Sequence, residues 1–395
     1  MPQDHNGTGT GVSTGNGRSR GQRIDRRTYL AGAGAVGLAA AAGCIGNGGG
    51  GGTTINILTW EEFAEMEENI EETLDVSINI EASTSSSSMF QRWNQGADEE
   101  FDIVVPNNNL VPRFLESGLI APVDTNAVTS YGDIYDKFQQ FVDQQFTQDG
   151  DAYGVPIRWG WYGYSYDTRS VPEHDPSYRV MFEEDYVDAD LGGNIIMYDE
   201  ANKTMPVAAL YLAESRDDPS YREALEGEEM TFSVEQIDEM RDVLVEQKSR
   251  LQGYIAKDPR FIEEFTQGNF LVGHSGRNET IEMRTNGKDW VEFVVPQEGA
   301  MAWYETAVVS AASDNTEAAW EVVNEFIAPE NGAALAKAGF SPSCNPNVAD
   351  QLTEEQNDLY GRVDPERLEE FIPLKDIADD VERKYTGAWN NVKAA

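Results

Sequence analysis

A strand-like segment that leads directly into a helix constrains the fold more than any other feature of the sequence. Residues 55–63 read INILTWEEF, in which an apolar run gives way to acidic and aromatic residues. Thr59 and Glu62 have the spacing of a helix-capping box, and apolar residues follow from Phe63 to Leu74 at helical intervals. This pattern predicts a strand whose carboxyl end is joined at once to a helix.

Strand and helix patterns then alternate along the chain. Predicted strands cover residues 76–80, 101–105, 270–273 and 290–295, and predicted helices cover residues 89–94, 234–251, 317–327 and 368–388. Alternation of this kind is typical of an α/β fold with a parallel sheet. The length of 395 residues is enough for two lobes. In such sheets, ligands bind beyond the carboxyl ends of the strands.

Aromatic, acidic and amide side chains follow the predicted strands at the positions where a ligand would bind. The first group of candidate residues is Trp60, Glu61, Glu62, Asn107 and Asn109. A second pairing of a ring with a carboxylate occurs at Trp303 and Glu305. A structural interpretation competes with the functional one, because the helix dipole favours acids at a helix start and asparagine is common in turns and caps.

The segment 153–166 is the most aromatic part of the chain. If it is extended, its tyrosines at 162, 164 and 166 share one face, and Trp159 and Trp161 share the other. We interpret this segment as a crossing between two lobes. The alternative is that the rings only fill the core.

The charge balance excludes one class of partner. The chain has 70 acidic and 29 basic residues, for a net charge of -41, which disfavours binding to nucleic acids. A surface rich in carboxylates is expected where concentrated salt screens self-repulsion, and the composition resembles that of haloarchaeal proteins. The alternative is an acidic protein of ordinary water.

The N-terminal residues have the pattern of an export signal. Arg26 and Arg27 precede an apolar run at residues 30–42 that is too short to span a bilayer, which indicates a twin-arginine signal peptide. The run ends at Cys44, where a lipobox-like sequence predicts attachment of a lipid anchor to the membrane. Glycine-rich residues 45–54 would form a tether. Cys344 would then be a lone buried thiol.

Several segments in the folded part resemble the spermidine/putrescine-binding proteins of ABC importers: residues 57–63, 101–106, 116–124, 153–156 and 294–299. The resemblance covers most of residues 55–350 in the same order. It implies a two-lobed fold of the class II periplasmic-binding-protein type, with the ligand cleft between the lobes. Lobe 1 would comprise residues 55–159 and 305–345, and lobe 2 would comprise residues 160–304 and 346–395.

In proteins of that family, rings stack on the methylene groups of a polyamine, and carboxylates bind its ammonium groups. The ligand-binding candidates, some matched to the family by position, are Trp60, Glu61, Glu62, Phe63, Asn107, Asn109, Trp159, Asp199, Glu200, Arg277, Trp303, Glu305 and Phe340. The sequence departs from the family pattern in two places. Residues 273–278 lack a stacking tryptophan and contain Arg277, which either faces the cleft or forms a surface ion pair. Lys203 stands near the position of an expected acid.

These observations predict an exported binding protein, not an enzyme, with a small organic cation as ligand and ABC permease subunits as partners. A zwitterionic or anionic ligand, recognised through Arg277 and the loop at residues 83–88, is the alternative within this class. Hydrolase and Walker motifs are absent from the sequence, and the mature chain would keep only His174 and His274 for acid–base chemistry. No cofactor or metal site is expected. Iron-binding relatives use adjacent tyrosines, and the sequence contains no such pair. An adhesive or scaffold role is a further alternative.

Overall fold

The structure is a computed structural model that describes residues 52–227, 229–361, 368 and 371–395. The predicted signal, with Arg26, Arg27 and Cys44, lies outside these residues, and so does nearly all of the predicted tether. The strands of the described part are β1 Thr54–Thr59, β2 Ser77–Ala82, β3 Ile103–Val104, β4 Thr147–Gln148, β5 Asp151–Ala152, β6 Val155–Asp167, β7 Ile195–Tyr198, β8 Leu251–Ile255, β9 Val272–Gly276, β10 Val291–Val294, β11 Ala300–Val309 and β12 Phe371–Pro373.

Helices connect most of these strands. They are α1 Glu67–Leu74, α2 Ser86–Trp93, α3 Val111–Glu116, α4 Asp136–Gln145, α5 Arg179–Phe182, α6 Ala201–Ser215, α7 Ser220–Glu226, α8 Val234–Gln247, α9 Asp258–Thr266, α10 Arg277–Thr285, α11 Thr316–Ile327, α12 Pro329–Gly339, α13 Glu354–Gln356 and α14 Asp379–Ala394. Short 3-10 turns precede α1 and α3, and a π-helical turn covers Asn357–Gly361.

One ten-stranded sheet runs through the described chain in the order β2-β1-β3-β11-β6-β9-β7-β8, with β10 added to β6 and β12 added to β11. Strands β1, β2 and β3 are parallel at one end, and β7, β8 and β9 are parallel at the other. The long strands β6 and β11 pair antiparallel between these two groups. We call β6 and β11 the central strands.

Two main hydrophobic cores lie on either side of this junction. The first contains β1, β3 and α11 together with Trp159 and Trp161 of β6. The second contains β7, α6 and α8 together with Tyr162, Tyr164 and Tyr166 of β6. The whole of β6 is buried. The tryptophans and the tyrosines of β6 thus pack in different cores. The prediction that Cys344 is a buried free thiol is confirmed.

Several element boundaries differ from the predictions. Thr59 is the last residue of β1, so that Trp60 takes the N-cap position and the predicted capping box with Glu62 does not form. Ser233 does cap α8 through a capping box with Gln236, as predicted, but the helix ends at Gln247 because residues from Leu251 join β8.

Two further predicted boundaries are shifted towards the C-terminus. The final helix begins at Asp379, because residues Phe371–Pro373 pair with β11 before it as β12. The strand predicted at residues 270–273 covers Val272–Gly276 instead. Within the described residues, no helix has the length and apolar composition needed to cross a membrane.

Candidate functional site

A buried arginine lies at the centre of the region where the predicted residues meet. Arg158 of β6 stands directly opposite Glu305 of β11 in the strand register. Its Nε donates to Glu305 Oε2 at 2.6 Å and its Nη2 donates to Oε1 at 2.9 Å. Glu62 completes the group, with its Oε1 at 3.4 Å from Arg158 Nη2. We call Arg158, Glu305 and Glu62 the central ion triad.

Burial makes it costly to keep the charged groups of this triad ionised. The side chains of Arg158 and Glu305 are each only 5% exposed, whereas that of Glu62 is 37% exposed. Burial raises the pKa of Glu305 to about 7, although Arg158 opposes the rise. Burial also disfavours the charge of Arg158, but Glu305 and Glu62 outweigh it and raise the pKa of this arginine. Each charged group is therefore held in place by the others.

The surroundings of Arg158 fit its guanidinium closely. The group lies 5.6 Å from the ring centre of Phe63. Gly339, at the end of α12, lies against Nη1, and a Cβ at that position would overlap it. Phe63 itself is fully buried against Phe326, with ring centres 5.2 Å apart, so the structure places this predicted ligand residue in the core.

The predicted tryptophans occupy three different environments. Trp60 is partly exposed at the end of β1, and its Nε1 is buried without a hydrogen-bond partner among the described residues. Trp303 is 8% exposed and covers Gly160, where an added Cβ would lie 2.5 Å from the ring. Trp159 is 1% exposed and packs against Trp161 and Phe138 in the first core.

The asparagines after β3 support the central strands. The backbone of Asn107 forms a bridge with Glu305, and its N–H donates to Ser86 Oγ at 2.9 Å. Asn109 is buried and lines a small cavity of about 40 Å³ beside Arg113. Asn108 lies between them. It was not among the predicted residues, yet its side chain donates to the carbonyl of Leu374 at 2.6 Å and accepts from the N–H of Tyr304 at 3.2 Å.

A second cation lies at the carboxyl end of β7. Lys203 Nζ is 4.5 Å from the ring centre of Tyr198, 5.2 Å from that of Tyr162, and 3.2 Å from Glu200 Oε2. Glu200 is exposed at the start of α6, and Asp199 is exposed and paired with Lys393 at 2.9 Å. The predicted acids of this region are therefore already bound to lysines of the chain.

A buried acid, Glu279, lies beside Lys203 and its partner Tyr198. The hydroxyl of Tyr198 donates to Glu279 Oε1 at 2.6 Å, and Glu279 is 1% exposed. Burial, together with the nearby charge of Asp258, raises the pKa of Glu279 to about 8. His274 is also buried, and burial lowers its pKa to about 3, which keeps the ring neutral. These groups meet where α6, α9 and α10 begin, at the carboxyl ends of β7 and β9.

Arg277 and Phe340 make their contacts with residues outside the central ion triad. Arg277 is stacked over Trp161, with its Cζ 4.8 Å from the ring centre, and donates to the carbonyl of Leu359. Arg277 and Trp161 both line a cavity of about 430 Å³. Phe340 ends α12 in the left-handed conformation, at φ 51°, and packs edge-on against Tyr360. The ring that Arg277 covers points to the opposite face of β6 from Arg158.

The fold and these central strands agree with one family of proteins. The model of the family described as bacterial extracellular solute-binding protein matches residues 61–359. The chain belongs to this family. Its members are the solute-binding proteins of ABC transporters, and these solute-binding proteins are not enzymes. The relatives of this chain are extracytoplasmic or periplasmic.

Named relatives of this solute-binding protein are distant in sequence. The putrescine-binding periplasmic protein SpuD of Pseudomonas aeruginosa is 20% identical over 308 residues, which cover 74% of this chain and 79% of the relative. The spermidine/putrescine-binding periplasmic protein of Escherichia coli is 21% identical over 331 residues, which cover 83% and 86%.

Solved structures show the same two-lobed fold. The substrate-binding protein PotD of a spermidine/putrescine ABC transporter from Streptococcus pneumoniae has a TM-score of 0.70 at 18% identity, covering 87% of this chain and 99% of that chain. The TpPotD lipoprotein of Treponema pallidum has a TM-score of 0.69 at 16% identity, covering 87% and 100%. The predicted α/β fold with two lobes is confirmed, and so is the family resemblance.

The sequence did not reveal the most central residue of this solute-binding protein. Arg158 was absent from the predicted residues, although a single charged residue inside the otherwise apolar and aromatic run 155–164 was a usable signal. A charge in a fully buried strand needs a partner of opposite sign. The partner Glu305 is far away in the sequence, and only the pairing of the central strands brings the two together.

Proposed function

We propose that this chain is the extracytoplasmic substrate-binding lipoprotein of an ABC importer, which captures a small organic cation such as putrescine or spermidine and delivers it to a permease. The observation that carries this proposal is the central ion triad. Glu62 and Glu305 converge on one positive charge, with Trp303 beside them on β11 and Trp60 next to Glu62. Carboxylates and ring faces are the groups that bind alkylammonium ions. The names of the relatives support the same ligand class.

The proposed mechanism is closure of two lobes around the solute, without a chemical step. We assign residues 55–159 and 305–345 to lobe 1, and residues 160–304 and 346–395 to lobe 2. The two cores support this division, since the first draws mainly on the former residues and the second on the latter. The proposed cleft borders the central strands, between Trp60 and Glu62 on lobe 1 and Glu200 on lobe 2.

A zwitterionic or anionic solute is the second candidate ligand, and one observation favours it. The acids that could bind a cation already have cations of the chain beside them: Arg158 at Glu62 and Glu305, and Lys203 at Glu200. A ligand with a carboxylate could interact with Lys203, whose side chain is 16% exposed.

The proposed anchor is a lipid on Cys44, added after export by the twin-arginine route that Arg26 and Arg27 suggest. A Cys44→Ser variant, expressed in the native host, is expected in the culture medium and not in the membrane fraction. We further propose that the protein is halophilic, because its net charge of -41 requires screening. Its melting temperature should then rise steeply with salt concentration.

The ligand proposal is tested by thermal unfolding of the mature protein in concentrated salt. The panel contains putrescine, spermidine, 4-aminobutyrate, betaine and organic dianions. A solute that binds only the folded state raises the melting temperature, and at a concentration about 100 times the dissociation constant it adds about 2.7 kcal/mol to stability. We expect the amines to give the shift. A response to dianions alone would contradict the proposal.

Trp60→Ala is the first site variant to compare with the wild type. Loss of a ring that covers an alkyl chain should weaken amine binding by about tenfold or more. Trp290→Ala is the matched control, since Trp290 stacks with Arg169 outside the proposed cleft. Equal losses of binding in the two variants would argue against a site at Trp60.

A further inference from the structure

The central ion triad contains one more negative charge than positive charge. Glu62 and Glu305 each carry a carboxylate, and Arg158 is the cation between them. Arg158 forms its paired hydrogen bonds with Glu305, at 2.6 and 2.9 Å, and approaches Glu62 only to 3.4 Å. Glu305 is therefore the acid that Arg158 neutralises, and Glu62 retains the remaining negative charge.

Arg158 cannot easily make way for a ligand. Both Glu305 oxygens accept from it, and its backbone forms a bridge with Ser343. Gly339 and the ring of Phe63 border the guanidinium. A guanidinium displaced from this position would lose two charge-assisted hydrogen bonds inside a buried environment, where such bonds are strongest.

Glu62 differs from Glu305 in its access to solvent. Its side chain is 37% exposed, against 5% for Glu305, and it lies in the turn directly after Trp60. A cationic solute that enters the proposed cleft would therefore reach Glu62, whereas Glu305 is covered and already paired. Glu305, the carboxylate that the sequence analysis predicted beside Trp303, is thus not the one that is available to a ligand.

We propose that Arg158 is a specificity-determining residue, whose guanidinium is a built-in counter-ion of Glu305 and limits this part of the cleft to one ammonium group, held by Glu62. The inference rests on the proposed function as an amine-binding protein, and it narrows the substrate class. The solute carries a single positive charge at its Glu62 end. Without Arg158, two carboxylates would attract two charges there.

The test is a series of variants with graded charge, using three probes of equal chain length: putrescine, n-butylamine and 4-aminobutyrate. Dissociation constants are measured by calorimetry in concentrated salt at mildly alkaline pH, where the carboxylates are ionised. Counting Glu62, Arg158 and residue 305, the net charge is minus one in the wild type, minus two in Arg158→Met, zero in Glu305→Gln, and minus one in the double variant.

The expected preference for putrescine over butylamine follows this charge. It should rise by about tenfold or more in Arg158→Met, because a buried uncompensated carboxylate interacts strongly with a second ammonium. Glu305→Gln should bind every amine more weakly than the wild type. The double variant should regain the wild-type preference. A folded Arg158→Met protein with an unchanged preference would overturn the inference.

Arg158→Met leaves Glu305 buried without its partner and can prevent folding. In that case, the comparison of Glu305→Gln with the double variant decides, since the double variant should bind butylamine more tightly and equal affinities would overturn the inference. Arg216→Met is the matched control, because Arg216 is exposed at the opposite end of α6 from Lys203. A wild-type protein that binds no amine would overturn the proposed function itself, whereas amine binding without dependence on the charge series would overturn only the role of Arg158.

Discussion

The two faces of β6 each hold an arginine, but the two arginines are bound in different ways. On one face, Arg158 is fully enclosed and paired with two carboxylates of other segments. On the other face, Arg277 is partly exposed, stacks on Trp161 and donates to the carbonyl of Leu359 beside an open cavity.

This difference indicates that the charge of Arg158 is part of the folded core, whereas the contacts of Arg277 can change at little cost. A buried ion pair is costly to break, because removal of one partner leaves the other charge without solvent. A partly exposed cation that covers a ring keeps access to water and loses little when its contacts change. We therefore expect substitutions on the Arg158 face to affect both folding and ligand choice, and substitutions on the Trp161 face to affect mainly local packing.

The largest effect is expected for Glu305→Ala. It leaves Arg158 buried with only the longer contact to Glu62, so the free energy of unfolding should fall by about 3–5 kcal/mol. The control is Glu292→Ala on β10, whose partner Arg284 is 41% exposed at 3.2 Å, and its loss should be at most about 1 kcal/mol. The measurement is denaturant unfolding of both variants in the same concentrated salt. Similar losses for the two would remove the distinction between the buried ion pair and an exposed one.

A pH effect of intermediate size is expected from Glu279, whose carboxylate accepts from Tyr198 beside Lys203. Burial raises its pKa from 4.5 to about 8 in the folded protein, so the folded state binds a proton that the unfolded chain has released. The contribution of Glu279 to stability should therefore fall as the pH rises from about 4.5 to about 8. Glu279→Gln, which cannot ionise, should flatten this part of the profile.

The control for the pH effect is Glu264→Gln, because Glu264 pairs with exposed Arg260 on the surface of α9. Its profile should keep the slope of the wild type. The measurement is the melting temperature of the wild type and of both variants across this pH range. A Glu279→Gln profile with the same slope as the wild type would contradict the proposed burial of a protonated acid.

The sequence predicted the elements of this protein better than their junctions. The alternation around residues 55–63 was sufficient for the α/β class and for the position of β1, because apolar patterns are local properties. The capping role of Thr59 was wrong, since pairing extends β1 through Thr59 and the 3-10 turn that follows begins at Glu61, with Trp60 at its N-cap. The end of α8 was misplaced for the same reason, because pairing with β7 recruits residues from Leu251.

The candidate site was predicted less well than the fold. Trp60, Glu62, Trp303 and Glu305 were selected for chemistry at strand ends, and the structure places Glu62, Trp303 and Glu305 at the central strands. Partners could not be predicted, because Arg158 and Glu305 are 147 positions apart and meet only through the register of β6 and β11. Phe63 and Trp159 have the side chains of ligand-binding residues, but burial decides between core and cleft, and burial is a property of the whole fold.

The smallest effect is expected for Arg277→Met, which tests whether the second face is separate from ligand binding. The variant loses the cation–π interaction with Trp161 and the hydrogen bond to Leu359, whose combined loss should lower the free energy of unfolding by about 1 kcal/mol. Methionine keeps much of the apolar contact with the ring. The dissociation constant of putrescine should change by less than about threefold, which corresponds to about 0.6 kcal/mol.

The same variant distinguishes the two ligand classes weighed for this protein. If Arg277 reached into the cleft, its removal would strengthen binding of a dication and weaken binding of a solute with a carboxylate, because a guanidinium repels the first and pairs with the second. Calorimetry with putrescine and 4-aminobutyrate therefore gives opposite changes in that case, and two small changes if Arg277 belongs to the Trp161 face. Opposite changes larger than about tenfold would place a positive charge in the cleft beyond Arg158 and would make the zwitterionic solute the better candidate.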